Sequence, residues 1–359
     1  MSLTTEEILT AIESLVASGE TPTQIRVRVK LGRGSYATIN KVLQEWRQDE
    51  NAEPITQSLA SQYSRSMDAN GLLSLYAGGE RDFSEIYLSE VLLVEANLPT
   101  INLSNADLQG ANLTKINLRA ANLKGANLTQ ANLQGADLSG ADLSKANLSC
   151  ADLTGAHLIG TRFEGASLIQ VKLHEANLTG AYLHGANVQE SDLSGAKLDK
   201  AISSFKTNFS KASLQRAKLN GANLHGANFC GANLVEADLS GTSLSAIFYQ
   251  ANMSRAKLNG ANLHAANFCG ANLVEADLSG TSLTGATFYQ ANMSRAKLNG
   301  ANLQKADLTQ AVVMDADLTR ASLAEANLER TNFLDSNLQD VKFDGAINME
   351  SAIFSDNLK

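Results

Sequence analysis

The sequence predicts a mainly β solenoid with square coils, preceded by a small all-α domain. Three observations carry that expectation. From Phe83 to Phe343 an apolar residue recurs every five positions, with the spacing broken only twice. Two positions before each such centre stands a small or β-branched residue, usually Ala, with Arg81 the main exception. The first 50 residues lack this period and show helical spacing instead. A period of five matches neither the 3.6 of a helix nor the 2.0 of a strand. It suits a chain that turns a corner every five residues, so that four sides close a coil of twenty.

The N-terminal elements follow in order. Residues 4–18 read as an amphipathic helix: Thr4 and Glu7 make a capping-box pattern, Ile8, Ile12, Leu15 and Val16 share a face, and Gly19 is a stop signal. A second helix is expected from Thr21, with Pro22 in its first turn. Leu31-Gly32-Arg33-Gly34 is a glycine-rich turn. Ser35 is a good N-cap for a third helix, Tyr36 to about Gln48, with Ile39, Val42, Leu43 and Trp46 on its inner side. Helix, short glycine turn, helix is the helix-turn-helix order. Between Pro22 and Arg47 six Lys or Arg face one Glu, a net charge of +5 in a chain of net charge −8. A local basic patch of this kind is the electrostatic footprint of a nucleic-acid contact; a solvated face of a protein-binding unit is the alternative.

These residues also carry a resemblance. Gly19, Pro22-Thr23, Val27-Arg28, Leu31-Gly32, Gly34-Ser35, Thr38-Ile39, and Leu43 with Trp46 resemble the KfrA-type plasmid replication-region DNA-binding N-terminal domain. The resemblance implies that residues 1–50 bind double-stranded DNA, with the third helix in the major groove. Ser35, Tyr36, Thr38 and Asn40 would then reach bases or phosphates, and Lys41 would lie along the groove edge. Arg26, Arg28, Lys30 and Arg33 would mainly touch phosphates, which position a domain without reading sequence. That family usually continues into a long coiled coil, whereas a β-solenoid follows here.

Residues 51–67 are polar, with Pro54, and read as a linker. Residues 68–80 read as a helical cap: a solenoid end exposes strand edges and apolar core, and Leu72, Leu73, Leu75 and Tyr76 are suited to cover it.

Residues 81–359 form the solenoid. The residue before each centre is most often Asn or Asp, which bonds nearby backbone and tolerates turn dihedrals. About 55 repeats would make a rod of ~14 coils at the β-sheet spacing of ~4.8 Å. The run A-(N/D)-L-x-x resembles the pentapeptide-repeat family, known as a right-handed quadrilateral β-helix, and YAGGERDF resembles the lead-in of its cyanobacterial members. That family does not define one function. Two frame slips interrupt the period, one residue gained at Lys200–Phe205, expected to bulge from a corner, and one lost between Leu244 and Phe248. A duplicated segment, Arg216–Leu244 and Arg255–Leu283, builds two columns of alternating charge: Arg216, Glu236, Arg255, Glu275, Arg295, Asp315, and Lys218, Asp238, Lys257, Asp277, Lys297, Asp317.

Other chemistry has no visible carrier. The five histidines are scattered without metal-ligand spacing, no P-loop or nucleophile elbow occurs, and three cysteines make no disulfide framework. No catalytic residue, metal or cofactor is expected, and the chain is not expected to be an enzyme. No apolar run reaches transmembrane length; a cytoplasmic protein without membrane contact is expected. Three functions remain in view. One is a DNA-binding regulator or tether whose rod binds an unknown protein partner, possible as a homodimer through the C-terminal coils. Another is a DNA-mimicking gyrase modulator, although residues 81–359 carry a net charge of only −5. The third is a purely structural interaction scaffold.

Overall fold

The structure is a computed structural model that describes residues 4–18, 22, 27, 30–31, 39, 41–43, 67–204 and 206–355. Helix α1 spans Thr5–Ala17. Its capping box forms: the Thr4 N–H donates to Glu7 Oε2 at 2.9 Å and the Glu7 N–H to Thr4 Oγ1 at 3.3 Å. Ile8, Ala11, Ile12 and Leu15, spaced three and four apart, are buried against Val27, Ile39, Val42 and Leu43. Residues 27, 30–31, 39 and 41–43 are helical.

Helix α2 spans Ala69–Ala77, and Asp68 caps it by accepting the Gly71 N–H at 2.8 Å. Leu72 is fully buried on the first coil, with Met67, Leu75 and Tyr76 packed beside it. The Tyr76 hydroxyl donates to the Pro99 carbonyl at 2.7 Å, and the Arg81 guanidinium lies 3.8 Å from the Tyr76 ring centroid. Leu73, expected in the cap, is 37% exposed, because the helix turns it away from the face that carries Leu72. The chain joins the coil register before α2: the Met67 N–H donates to the Tyr87 carbonyl at 3.3 Å, one coil away.

From Asp82 to Ile353 parallel bridges join each coil to the next, twenty residues on, along four faces. Face 1 starts at Asp82, face 2 at Tyr87, face 3 at Leu92 and face 4 at Asn97. At most corners the Ala-position N–H donates to the preceding centre carbonyl, as Ala106 does to Leu103 at 3.0 Å. The residue before that N–H is left-handed, such as Asn105 at φ 56° and Gly110 at φ 64°. Glycine takes that region without steric cost, which explains its recurrence there. Thr100, β-branched, is held there at φ 60°. Centre and Ala positions are buried through most of the rod. The Asn or Asp between them works twice: Asn102 Oδ1 accepts the Ser104 N–H at 3.1 Å and the Asn122 amide of the next coil at 2.9 Å.

Both frame slips fall at the corner between faces 1 and 2, two coils apart. The first coil there is 21 residues long, with Ile202 bridged to Asn223, and the second is 19, with Ser243 bridged to Asn262. The frame runs one unit beyond Leu198, so that Ser203 occupies a centre position, and the extra residue lies between it and Thr207. Thr207 pins that turn, its N–H on Ser204 O at 2.9 Å and its hydroxyl on Leu183 O at 2.7 Å. Phe205 lies outside the described residues. Ser203 is 5% exposed and its hydroxyl has no partner among the described residues. The other buried hydroxyls do have one, such as Thr161 on Leu138 O at 2.8 Å and Thr331 on Leu308 O at 2.8 Å. A buried orphan hydroxyl costs roughly 1–3 kcal/mol. Ser203→Ala is therefore expected to stabilise the rod by about 1 kcal/mol in denaturant unfolding; a loss of stability would show that the hydroxyl is bonded in solution.

On the other side of that corner, Phe209, Phe229, Phe248, Phe268 and Phe288 stack down face 2, with adjacent ring centroids 4.9, 5.2, 5.0 and 4.9 Å apart. The column starts directly after the inserted residue and passes the deletion unbroken. There Ser245 alone makes the corner, its hydroxyl on His264 O at 2.8 Å.

Candidate functional site

The basic N-terminal segment is organised by its apolar residues. Val27 is fully buried, as are Ile39 and Leu43, with Val42 5% exposed. Their basic neighbours Lys30 and Lys41 are exposed. Helical spacing accounts for the exposure of Lys41, which lies two residues beyond the buried Ile39 and so on another side of the helix. Arg26, Arg28, Arg33, Ser35, Tyr36, Thr38 and Asn40, expected to contact DNA, lie outside the described residues, as does Trp46.

On the rod, the first charge column forms at the corner between faces 3 and 4. Arg216 Nε donates to Glu236 at 2.8 Å, Arg255 approaches the other Glu236 oxygen at 3.4 Å, and Arg295 reaches Glu275 at 3.3 Å. The Arg216 hydrogen bond and charge hold the Glu236 carboxyl below its usual range, and the same contact raises Arg216. The second column runs down face 4 as adjacent backbone bridges from Lys218 to Asp317. Its carboxylates turn to their own corners: Asp238 and Asp277 accept the Ser240 and Ser279 hydroxyls at 2.5 and 2.6 Å. Signs therefore alternate from coil to coil, and face 4 presents no continuous acidic surface over that stretch.

Cys230 and Cys269 share a corner with Tyr249 and Tyr289. All three cysteines are free, and burial pushes the Cys230 and Cys269 thiols up, away from the thiolate. Among the described residues no group of three or more His, Cys, Asp or Glu is placed to hold a metal, and no helix is long and apolar enough to cross a membrane.

A parallel coil of four five-residue sides, filled by Leu, Phe and Ala, defines a right-handed quadrilateral β-helix, a solenoid protein. The chain belongs to the pentapeptide-repeat family, whose repeat model matches in successive blocks from residue 82 to 347. Residues 4–67 match a second family model, described as plasmid replication region DNA-binding N-terminal. Among solved structures the chain is similar to HetL, a pentapeptide-repeat protein involved in heterocyst differentiation regulation from the cyanobacterium Nostoc sp. PCC 7120. The two are 34% identical over 69% of this chain and 97% of HetL, at a TM-score of 0.30. The plasmid-mediated fluoroquinolone resistance protein QnrB1 is 20% identical over 58% of this chain and 90% of its own, at a TM-score of 0.32. A pentapeptide-repeat protein of the Arabidopsis thaliana thylakoid lumen is 26% identical over 42% and 71%, at a TM-score of 0.15. No curated protein matches the chain.

Proposed function

We propose that this chain is a DNA-bound interaction scaffold: residues 1–50 form an all-α unit that holds double-stranded DNA, and the pentapeptide-repeat rod presents a surface to a protein partner. The observation that carries the reading is the small core of α1 with Val27, Ile39, Val42 and Leu43, which leaves Lys30 and Lys41 exposed within a segment of net charge +5. The match of residues 4–67 to a DNA-binding family supports it. Ser35, Tyr36, Thr38 and Asn40 read bases or phosphates, Lys41 follows the groove edge, and Arg26, Arg28, Lys30 and Arg33 neutralise phosphates. The test is binding of the full chain to duplex DNA across a salt series; absence of binding at low salt sinks the reading. The alternating columns on the rod speak against the gyrase-modulator alternative, since a DNA mimic needs an unbroken acidic face.

A helix-turn-helix protein commonly meets two half-sites as a dimer. In this reading the C-terminal coils pair, because Ile347 is 54% and Ile353 48% exposed there and Phe354 is only partly buried. Sedimentation at rising protein concentration should show a dimer; a monomer throughout removes the pairing.

A further inference from the structure

One coil of the rod has a charge unlike the others. Residues 197–217, with Lys218 that opens the next coil, carry six Lys or Arg against one Asp, a net of +5, inside a solenoid whose residues 81–359 sum to −5. The coil is the 21-residue one that closes with the bridge from Lys197 to Lys218. Lys200, Lys206, Lys211 and Arg216 put one cation on each of its four corners.

Several features separate this coil from the neutralised columns above it. Lys197 and Lys218 are adjacent across a parallel bridge, and no other bridge among the described residues joins like charges. Asp142–Arg162, Asp152–Lys172, Lys172–Asp192 and the rungs from Lys218 to Asp317 join opposite ones. Like charges directly opposite in a sheet are destabilising, so the fold carries a cost here that it avoids elsewhere. The acid above Lys218 does not relieve it. Asp238 accepts the Ser240 N–H at 3.0 Å and its hydroxyl at 2.5 Å, and the Asn220 amide, in the orientation its neighbours favour, reaches both oxygens at 2.9 and 3.3 Å. Lys211 pairs with Glu190 and Arg216 with Glu236. Lys197, Lys200, Lys206 and Lys218 are exposed and make no ion pair within 4.0 Å among the described residues. Glycines flank the corner lysines: Gly180 and Gly221 beside Lys200, Gly185 and Gly226 beside Lys206. A Cβ added at Gly180 or Gly221 would meet nothing within 4 Å, so the approach to Lys200 is open.

We propose that this basic coil is a second, sequence-independent contact for duplex DNA, with Lys197, Lys200 and Lys218 on its phosphates. Flexible ammonium groups act as point charges toward phosphate, and contacts of this type position without reading sequence. The proposal rests on the DNA-binding reading for its choice of polyanion, and adds to it: the rod lies against the duplex at this coil, and two linked contacts raise affinity beyond either alone.

The experiment is fluorescence anisotropy of full-length protein on random-sequence duplex DNA over a salt series. Wild type is compared with K197Q/K200Q/K218Q and with Arg28→Ala, circular dichroism melts confirming that each is folded. Each phosphate contact contributes about 0.9 to the slope of log K against log salt. The triple variant is expected to lose about 2.7 from that slope and to bind at least tenfold more weakly at low salt. An unchanged slope, with Arg28→Ala still weakening binding, overturns the coil contact and leaves the N-terminal reading standing. The reverse pattern, loss in the triple variant and none in Arg28→Ala, keeps the coil contact and removes the N-terminal one. Retention of wild type by polyglutamate but not by duplex DNA overturns the proposal in favour of an acidic protein partner.

Discussion

Phe248→Ala is expected to destabilise the rod by about 3–5 kcal/mol, as for other fully buried Phe truncations. The ring is wholly buried and stacked on both sides, 5.2 Å from Phe229 and 5.0 Å from Phe268, with interplanar angles of 12° and 7°. Removing it forfeits two aromatic contacts as well as the transfer energy of the ring. The surroundings have little freedom to collapse into the cavity, because backbone bridges fix the coils above and below. The position compounds the loss. Phe248 follows the corner made by Ser245 alone, so its ring supports face 2 where the turn is shortest, beside the backbone bridges of Ile247. Coils contact only their neighbours, and a break at one interface divides the rod into two weakly coupled parts. Guanidinium unfolding of the variant should therefore show a lower midpoint and a second transition. Phe343→Ala, at a partly buried terminal position, serves as the control and should cost much less. Equal losses at both sites would mean that neither the stack nor the deeper burial of Phe248 adds to the stability of the rod.

That column starts at one and passes the other of the two irregular corners, where the five-residue period is no longer a local signal. The period of five located every apolar centre from Phe83 to Phe343 because burial of one residue per side is a local, repeated constraint. The capping box of Thr4 and Glu7 and the bonding role of Asn and Asp were legible for the same reason: each depends on residues two or three apart. The period could not show Ser203 as a centre, because a polar residue there breaks the pattern that defines centres. It could not show that the two slips share a corner, which needs the coil count through the insertion. Recurrent glycine at one position of the repeat is the sequence signal of the left-handed corner residue. Leu73 failed because a short helix of mixed Leu and Ser leaves its buried side to be set by the coil beneath. The charge columns were legible as alternation, yet only one forms close ion pairs. On face 4 serine hydroxyls at the corner compete for Asp238 and Asp277 and win by proximity. The like-charged bridge of Lys197 and Lys218 is hidden in the sequence because a 21-residue coil separates them.

Binding of the full chain to DNA is expected to fall about 10³-fold or more between 50 and 200 mM salt, as the release of counterions from six or more phosphate contacts requires. Arg26, Arg28, Lys30, Arg33 and Lys41 of the N-terminal segment, with Lys197, Lys200 and Lys218 of the basic coil, supply that number. Arg28→Ala should weaken all sequences alike and remove about 0.9 from the salt slope. Asn40→Ala should do neither. An Asn side chain carries no charge to release a counterion, and its value lies in bidentate hydrogen bonds to a base edge, worth about 1–3 kcal/mol of discrimination. Its loss should leave the slope and the affinity for random duplex unchanged while lowering affinity for a selected site roughly 5- to 150-fold. The two variants thus separate the two roles given to the segment. A change of slope in Asn40→Ala would mean that the third helix does not enter the groove as proposed. Identical behaviour of selected and random duplex in every variant would reduce the segment to an electrostatic tether. The rod's partner would then have to supply whatever sequence preference the assembly shows.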